Sequence, residues 1–139
     1  MRALKIAYWS ATGIISLMMV FSAWNYLSNP EMKVGFQHLG FPDYFRIELA
    51  VAKIMAAVLL LLPFNGWWKE WSYAGLAITF VSAIVAHTAS GDPVGTRIAP
   101  VVFLIILIVS YISKKRLDTR AYSDPLSGVP SVKKRVAVS

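Results

Sequence analysis

A single lysine, Lys53, stands in the stretch ELAVAKIMAAVLLLLP, residues 48–63, which is otherwise apolar enough to lie in lipid. A charged side chain at the centre of a bilayer costs at least about 2.5 kcal/mol, so ionisable residues in such segments usually face the protein interior and mark functional sites. Ala50, Ala56 and Ala57 lie three or four positions from Lys53 and share its helix face. The pattern predicts that Lys53 points into the protein.

The other candidate ligand-binding residues lie at the ends of neighbouring apolar segments or in their connections, in the same half of the membrane. They are His38, Glu48, His87, Asp92 and Arg97. The Lys53 side chain can reach toward its helix end, which would bring its ammonium level with His87. Glu48 lies roughly 140° around the helix from Lys53 at 3.6 residues per turn, so we expect it to act on a neighbouring helix, Arg46 or Arg97 instead.

These residues also have structural interpretations. Glu48, Asp92 and Arg97 can form an ion-pair network at the membrane surface, and Asp92 before Pro93 can initiate a turn. His38 can be a solvated loop histidine. Imidazole and carboxylate suit several transition metals, but no HxxxH or ExxH spacing occurs on one helix face, so we predict no metal site. The chain has no cysteine, which excludes thiolate chemistry, and no catalytic residue is assigned.

The composition is that of an integral membrane protein. Of 139 residues, 57% are hydrophobic and 15% are charged, against about 25% charged in an ordinary soluble domain. Four apolar stretches are long enough to cross about 30 Å of hydrocarbon, and a loop, residues 28–43, joins the first two. We place the spans at about Ala7 to Leu27, Phe45 to Phe64, Trp71 to Ser90 and Gly95 to Ser113. The first lacks an A-x-A-like cleavage site, so we interpret it as a retained helix.

The distribution of charge predicts the orientation. One side of the four segments collects Arg2, Lys5, Lys69 and the basic C-terminal segment. By the positive-inside rule, both termini lie in the cytoplasm. The predicted fold is all-α, an integral membrane four-helix bundle over residues 1–115 with a basic, disordered cytoplasmic tail over residues 116–139. Because the basic residues cluster in this tail rather than on a folded face, we expect no nucleic-acid partner.

Small side chains let helices approach closely in lipid, so they mark inward faces. The third segment carries a stripe of them, and we therefore expect this segment at the centre of the bundle. The stripe consists of Gly75, Thr79, Ser82, Ala83, Ala86 and Ser90. The fourth segment, with its bulky run VVFLIILIV, is expected on the outside. The cytoplasmic half is expected to hold few polar groups beyond Lys69 and Glu70.

Four stretches carry a family resemblance: KIAYWSATG at 5–13, HLGFPDYFRIELAVAKI at 38–54, LLPFNGWWKEWSYAGLAI at 61–78 and AHTASGD at 86–92. Together they resemble the DoxX-like family. The resemblance implies a four-helix bundle in the bacterial plasma membrane, and it places His38, Lys53 and His87 in recurrent family motifs. Related DoxX and DoxD proteins are linked to thiosulfate:quinone oxidoreduction or to membrane oxidoreductase complexes, but no motif here transfers that activity residue by residue.

Three functions stay open. In the first, an accessory membrane protein, alone or as a homo-oligomer, holds a small amphipathic ligand such as a quinone or a lipid, whose polar head bonds to Lys53 and His87. In the second, the chain is a subunit of a quinone-linked membrane oxidoreductase with an electron-carrying partner, and the same two residues handle protons. In the third, it is an assembly factor or scaffold in which Lys53 locks helix register by bonding to Ser82 or to backbone carbonyls.

Overall fold

The computed structural model describes residues 2–123, and every regular element in this range is an α-helix. The helices are α1 (Arg2–Ser28), α2 (Pro30–His38), α3 (Asp43–Leu61), α4 (Trp67–Ala89) and α5 (Gly95–Ser123). The predicted all-α class is therefore confirmed. Three of these helices, α1, α4 and α5, are long and apolar enough to cross a membrane. The sequence of α3 is interrupted by four charged residues, Asp43, Arg46, Glu48 and Lys53.

The short helix α2 occupies the connection that we expected to be a loop. Asn29 caps it by accepting a hydrogen bond from the backbone N–H of Glu31 at 3.0 Å. Pro30 stands at its first position, where a missing N–H breaks no helical hydrogen bond. Phe36 is buried and meets the ring of Tyr26 edge to face, with centroids 5.0 Å apart. This contact seats α2 on the end of α1.

The long helices pack around one apolar core. α1 contacts α3 and α5, and α4 contacts the same two helices. The largest buried apolar side chains come from all four of them: Ile15, Met19, Leu60, Leu76, Phe80 and Leu107. On α3 the buried face consists of Ala50, Lys53, Ala57 and Leu60, which confirms that Lys53 points inward with its neighbouring alanines.

The expectation that the third segment forms the centre was wrong. In their most apolar stretches, α1 has 39% of its residues buried, whereas α4 has 22% and α5 has 11%. The buried face of α4 carries Ser72, Tyr73, Leu76 and Phe80 rather than the small-residue stripe. A methyl group added to Gly75 would meet nothing within 4 Å. At Gly75 the surface of α4 is therefore open rather than packed against another helix.

The half of the molecule that contains the N-terminus is richer in buried polar groups than we expected. The hydroxyl of Ser110 lies 2.7 Å from the hydroxyls of both Thr12 and Tyr73, and all three residues are buried. Lys69 donates to the hydroxyl of Tyr8 at 3.1 Å. These bonds tie α1, α4 and α5 together in the region that the sequence marked as poor in polar groups.

The helix α5 also extends further than the predicted span. It continues through Ser123, and Lys114 within it is 5% exposed and bonds to Asp118 at 2.8 Å. Glu70 of α4 lies 3.7 Å from Lys114 and 3.0 Å from Lys115. The start of the predicted disordered tail, residues 116–123, is therefore helical, while residues 124–139 lie outside the described part of the chain.

Candidate functional site

A cavity of about 1210 Å³ lies at the end of the molecule where α2 covers the long helices. Most of its lining is apolar. Its wall from α4 includes Thr79, Ser82, Ala83 and Ala86, which belong to the small-residue stripe. Both Lys53 and His87 line it as well, so the two residues that we expected to act together face one space.

Lys53 lies about 15 Å along α3 from Asp43, at about 1.5 Å per residue. Its side chain is almost fully covered, with 5% of the residue exposed. The ammonium donates to the hydroxyl of Ser22 at 2.9 Å, and it lies 3.8 Å from the centre of the Tyr26 ring. Both partners belong to α1, so the expected bond to Ser82 or to backbone carbonyls is replaced by a bond to a different helix.

The electrostatic setting of Lys53 is unusual. An ammonium has three N–H donors, and one of them is used by Ser22. Within residues 2–123, no carboxylate forms an ion pair with Lys53. The face of the Tyr26 ring attracts a cation and stabilises the charged amine from one side. The remaining donor capacity is available to a group in the cavity.

A second cluster joins two histidines through Asp92. One carboxylate oxygen of Asp92 lies 2.6 Å from Nδ1 of His87, and the other lies 2.7 Å from Nε2 of His38. Hydrogen bonds from His87 and His38 hold the pKa of Asp92 below its usual value of 3.8, so this carboxyl group is ionised at neutral pH. Both facing histidine nitrogens therefore donate. Arg97 also donates to the backbone carbonyl of Asp92 at 2.9 Å.

Local backbone geometry brings His87 and Asp92 together. Gly91 follows the end of α4 with φ of 73°, a left-handed conformation that glycine adopts without strain. The N–H of Asp92 then bonds to the carbonyl of His87 at 3.0 Å, and the N–H of Gly91 bonds to Thr88 at 3.2 Å. This is the Schellman motif, which reverses the chain at a helix end. It returns the Asp92 side chain to the last turn of α4, next to His87.

The same motif ends α2. Gly40 has φ of 85°, and Phe41 bonds back to the carbonyl of Phe36 at 2.9 Å. His38 is the last residue of α2, and its Nε2 bonds to Asp92. Among the side-chain hydrogen bonds of the described residues, this one links α2 to the turn between α4 and α5. Asp92 therefore fastens α2, as a cover, to the opposite wall of the cavity.

Three of the six candidate residues, Glu48, Asp92 and Arg97, are not part of the cavity lining. Glu48 is exposed and makes neither an ion pair nor a side-chain hydrogen bond within residues 2–123, so the expected pairing with Arg46 or Arg97 does not form. Arg46 bonds instead to Asp43 at 2.9 Å and to the backbone carbonyl of Tyr26. Arg97 contributes through Asp92 rather than through the cavity.

The two histidines and Asp92 bond to one another and do not converge on an outside atom. Across the described residues, no group of three or more histidine or carboxylate side chains is arranged to hold a metal ion. Sequence reasoning missed Ser22 and Tyr26. Their spacing of four positions on α1 was the available signal, because it places a hydroxyl and an aromatic ring on one helix face.

Comparison with known proteins gives one match. Residues 10–110 match the DoxX-like family, a range that includes Lys53, His38, His87 and Asp92. No curated protein and no solved structure matches the chain. Since the match covers well over half of the 139 residues, the chain belongs to the DoxX-like family.

Proposed function

We propose that this protein is an accessory protein of the bacterial plasma membrane, which binds a small amphipathic ligand, such as a quinone or a lipid, in the cavity beside Lys53. The observation that carries the proposal is a covered ammonium at the wall of a largely apolar cavity, which pairs with no carboxylate of the described residues. Burying a charge without an opposite charge costs several kcal/mol. A ligand that enters with a hydrogen-bond acceptor offsets this cost and explains why the lysine is there.

The shape of the cavity suits such a ligand. Ligand sites are mostly apolar clefts with a few polar groups, and the lining here is mostly apolar with Lys53 and His87 among its polar groups. The head of the ligand bonds to Lys53. Where the head carries a hydroxyl, that group also donates to Nε2 of His87, which accepts because Nδ1 of the ring donates to Asp92. The apolar part runs along Ala83 and Ala86, where short side chains leave room.

The proposal includes a membrane arrangement in which α3 crosses the bilayer together with α1, α4 and α5, as a four-helix bundle with both termini in the cytoplasm. Two features support the crossing of α3. Lys53 faces inward, and Arg46 is neutralised by Asp43 near the helix end. Aromatic side chains are exposed near both ends of the long helices, as in the interfacial belts of membrane proteins.

The arrangement is testable because the chain has no native cysteine. We expect cysteines introduced at Arg2 and at Thr119 to be protected from a membrane-impermeant maleimide in intact cells and labelled after permeabilisation. A cysteine at Lys33 in α2 should be labelled in intact cells. If α3 does not cross, Arg2→Cys and Thr119→Cys will react on opposite sides of the membrane, which rejects the four-span arrangement.

Ligand binding is tested by Lys53→Met, which removes the ammonium and keeps an apolar chain of similar length. We expect the variant to insert normally and to lose a lipid or quinone that co-purifies with the wild type in mild detergent, measured by mass spectrometry of the extracted small molecules. Glu48→Gln is the matched control, because Glu48 lies on the same helix but is exposed and unpaired. Wild-type ligand content in Lys53→Met would reject the proposal.

A second candidate function, a scaffold or assembly factor without a ligand, is favoured by one observation. The bond from Lys53 to Ser22 and the contact with Tyr26 join α3 to α1. In this case the lysine acts as a lock between two helices. The two functions predict different free energies of unfolding for variants at Lys53 and at Ser22, the two ends of this bond.

For a ligand-binding lysine, we expect Ser22→Ala to lower the free energy of unfolding by about 1–3 kcal/mol, because a covered ammonium loses its protein acceptor. Lys53→Met should lower it less, since the charge is removed together with its bond. Both are measured by unfolding of delipidated protein in mixed detergents, with Ser28→Ala, which loses only a bond within α1, as the control. A loss in Lys53→Met as large as that in Ser22→Ala would favour the lock.

A further inference from the structure

We infer that the ligand is an anionic amphiphile whose ionised carboxylate or phosphate head pairs with Lys53. This inference rests on the proposed function and narrows it, because a quinone head is neutral. Three observations lead to it: the missing counter-charge of Lys53, the aromatic ring beside its ammonium, and the charges that surround the cavity.

Lys53 differs from another buried lysine, Lys114, because it has no carboxylate partner within residues 2–123. Lys114 is also 5% exposed, but it lies 2.8 Å from a carboxylate oxygen of Asp118 and 3.7 Å from one of Glu70. Lys69 is covered too, but it donates to Tyr8 and does not line the cavity. Lys53 alone combines a covered ammonium, no carboxylate partner within residues 2–123 and a place in the cavity wall.

The Tyr26 ring favours the charged form of Lys53. Its face lies 3.8 Å from the ammonium nitrogen, and the quadrupole of an aromatic ring attracts a cation but offers little to a neutral amine. A charged donor binds an ionised acceptor about twice as strongly as a neutral donor binds a neutral acceptor. The site therefore gains most from a head group that carries its own negative charge.

The charges around the cavity leave room for an anion at Lys53. The acidic residue in the lining is Glu31, which is exposed in the first turn of α2. Asp92 does not line the cavity, and His87 and His38 lie between it and the interior through their hydrogen bonds. The volume of about 1210 Å³ exceeds the range of about 300–1000 Å³ for sites of drug-sized ligands, which fits a head group with a long hydrocarbon chain.

The experiment compares two pairs of ligands, each with an anionic and a neutral member that share the same kind of hydrocarbon chain, and adds a neutral quinone. Delipidated full-length protein in neutral detergent is titrated with palmitate or hexadecanol, with phosphatidylglycerol or diacylglycerol, and with a ubiquinone, and the bound fraction is read by native mass spectrometry. We expect at least one anion to bind about tenfold or more tightly than its neutral counterpart. Palmitate binding alone identifies a free fatty acid, and phosphatidylglycerol binding alone identifies a bilayer lipid.

Variants at position 53 connect this preference to the lysine. Lys53→Arg should keep the preference for the anion, and Lys53→Met should abolish it; the arginine variant and the Glu48→Gln control also show whether a loss comes from failed folding. A contrary result is equal binding of anionic and neutral ligands in the wild type, or tighter binding of the ubiquinone than of the anions. If that binding is lost in Lys53→Met, the inference of an anionic head group is rejected and the proposed function stands. Binding of every ligand unchanged in Lys53→Met overturns both.

Discussion

The positive charge of Lys53 is enclosed in an apolar interior, and the rest of the structure must stabilise it. The ammonium of Lys53 is covered by protein, and among residues 2–123 its polar partners are one hydroxyl and one aromatic face. Hydrocarbon gives no solvation to such a group, so it must be stabilised by the protein or by something the protein holds. The inward direction of α3, the polar face of α1 and the position of the cavity are all consistent with this requirement.

Part of the cavity wall is formed by small side chains of α4. Small side chains at a helix interface in lipid normally allow close packing of backbones. On α4, Ser82 and Ala83 instead line the cavity, while Leu76 and Phe80 pack in the core. One helix therefore packs in the core with one face and lines the cavity with another.

The cover of the cavity follows from helix endings. Both α2 and α4 end in a Schellman motif with a left-handed glycine, and each carries a histidine in its last turn. Asp92, placed by the second motif, accepts hydrogen bonds from both His38 and His87. Asp92 thus joins the end of α2 to the end of α4 through a carboxylate that is ionised at neutral pH.

Features that depend on one helix could be predicted from the sequence, and features that depend on two helices largely could not. The alanines around Lys53 showed its direction, because neighbours on one helix face are known from spacing alone. The partner Ser22 could not be identified, since the rotation of α1 against α3 depends on the whole core. The same rotation decided that α1, not α4, is the most buried helix. The helix α2 was missed because nine residues of mixed polarity carry little periodic signal.

The most direct test of the account is an experimental structure of the protein purified with native lipids, at a resolution that shows the cavity. We predict elongated density along the small-residue face of α4, with its polar end about 3 Å from Nζ of Lys53. A cavity that holds only water, with Lys53 bonded to Ser22 and to no other acceptor, would contradict the account.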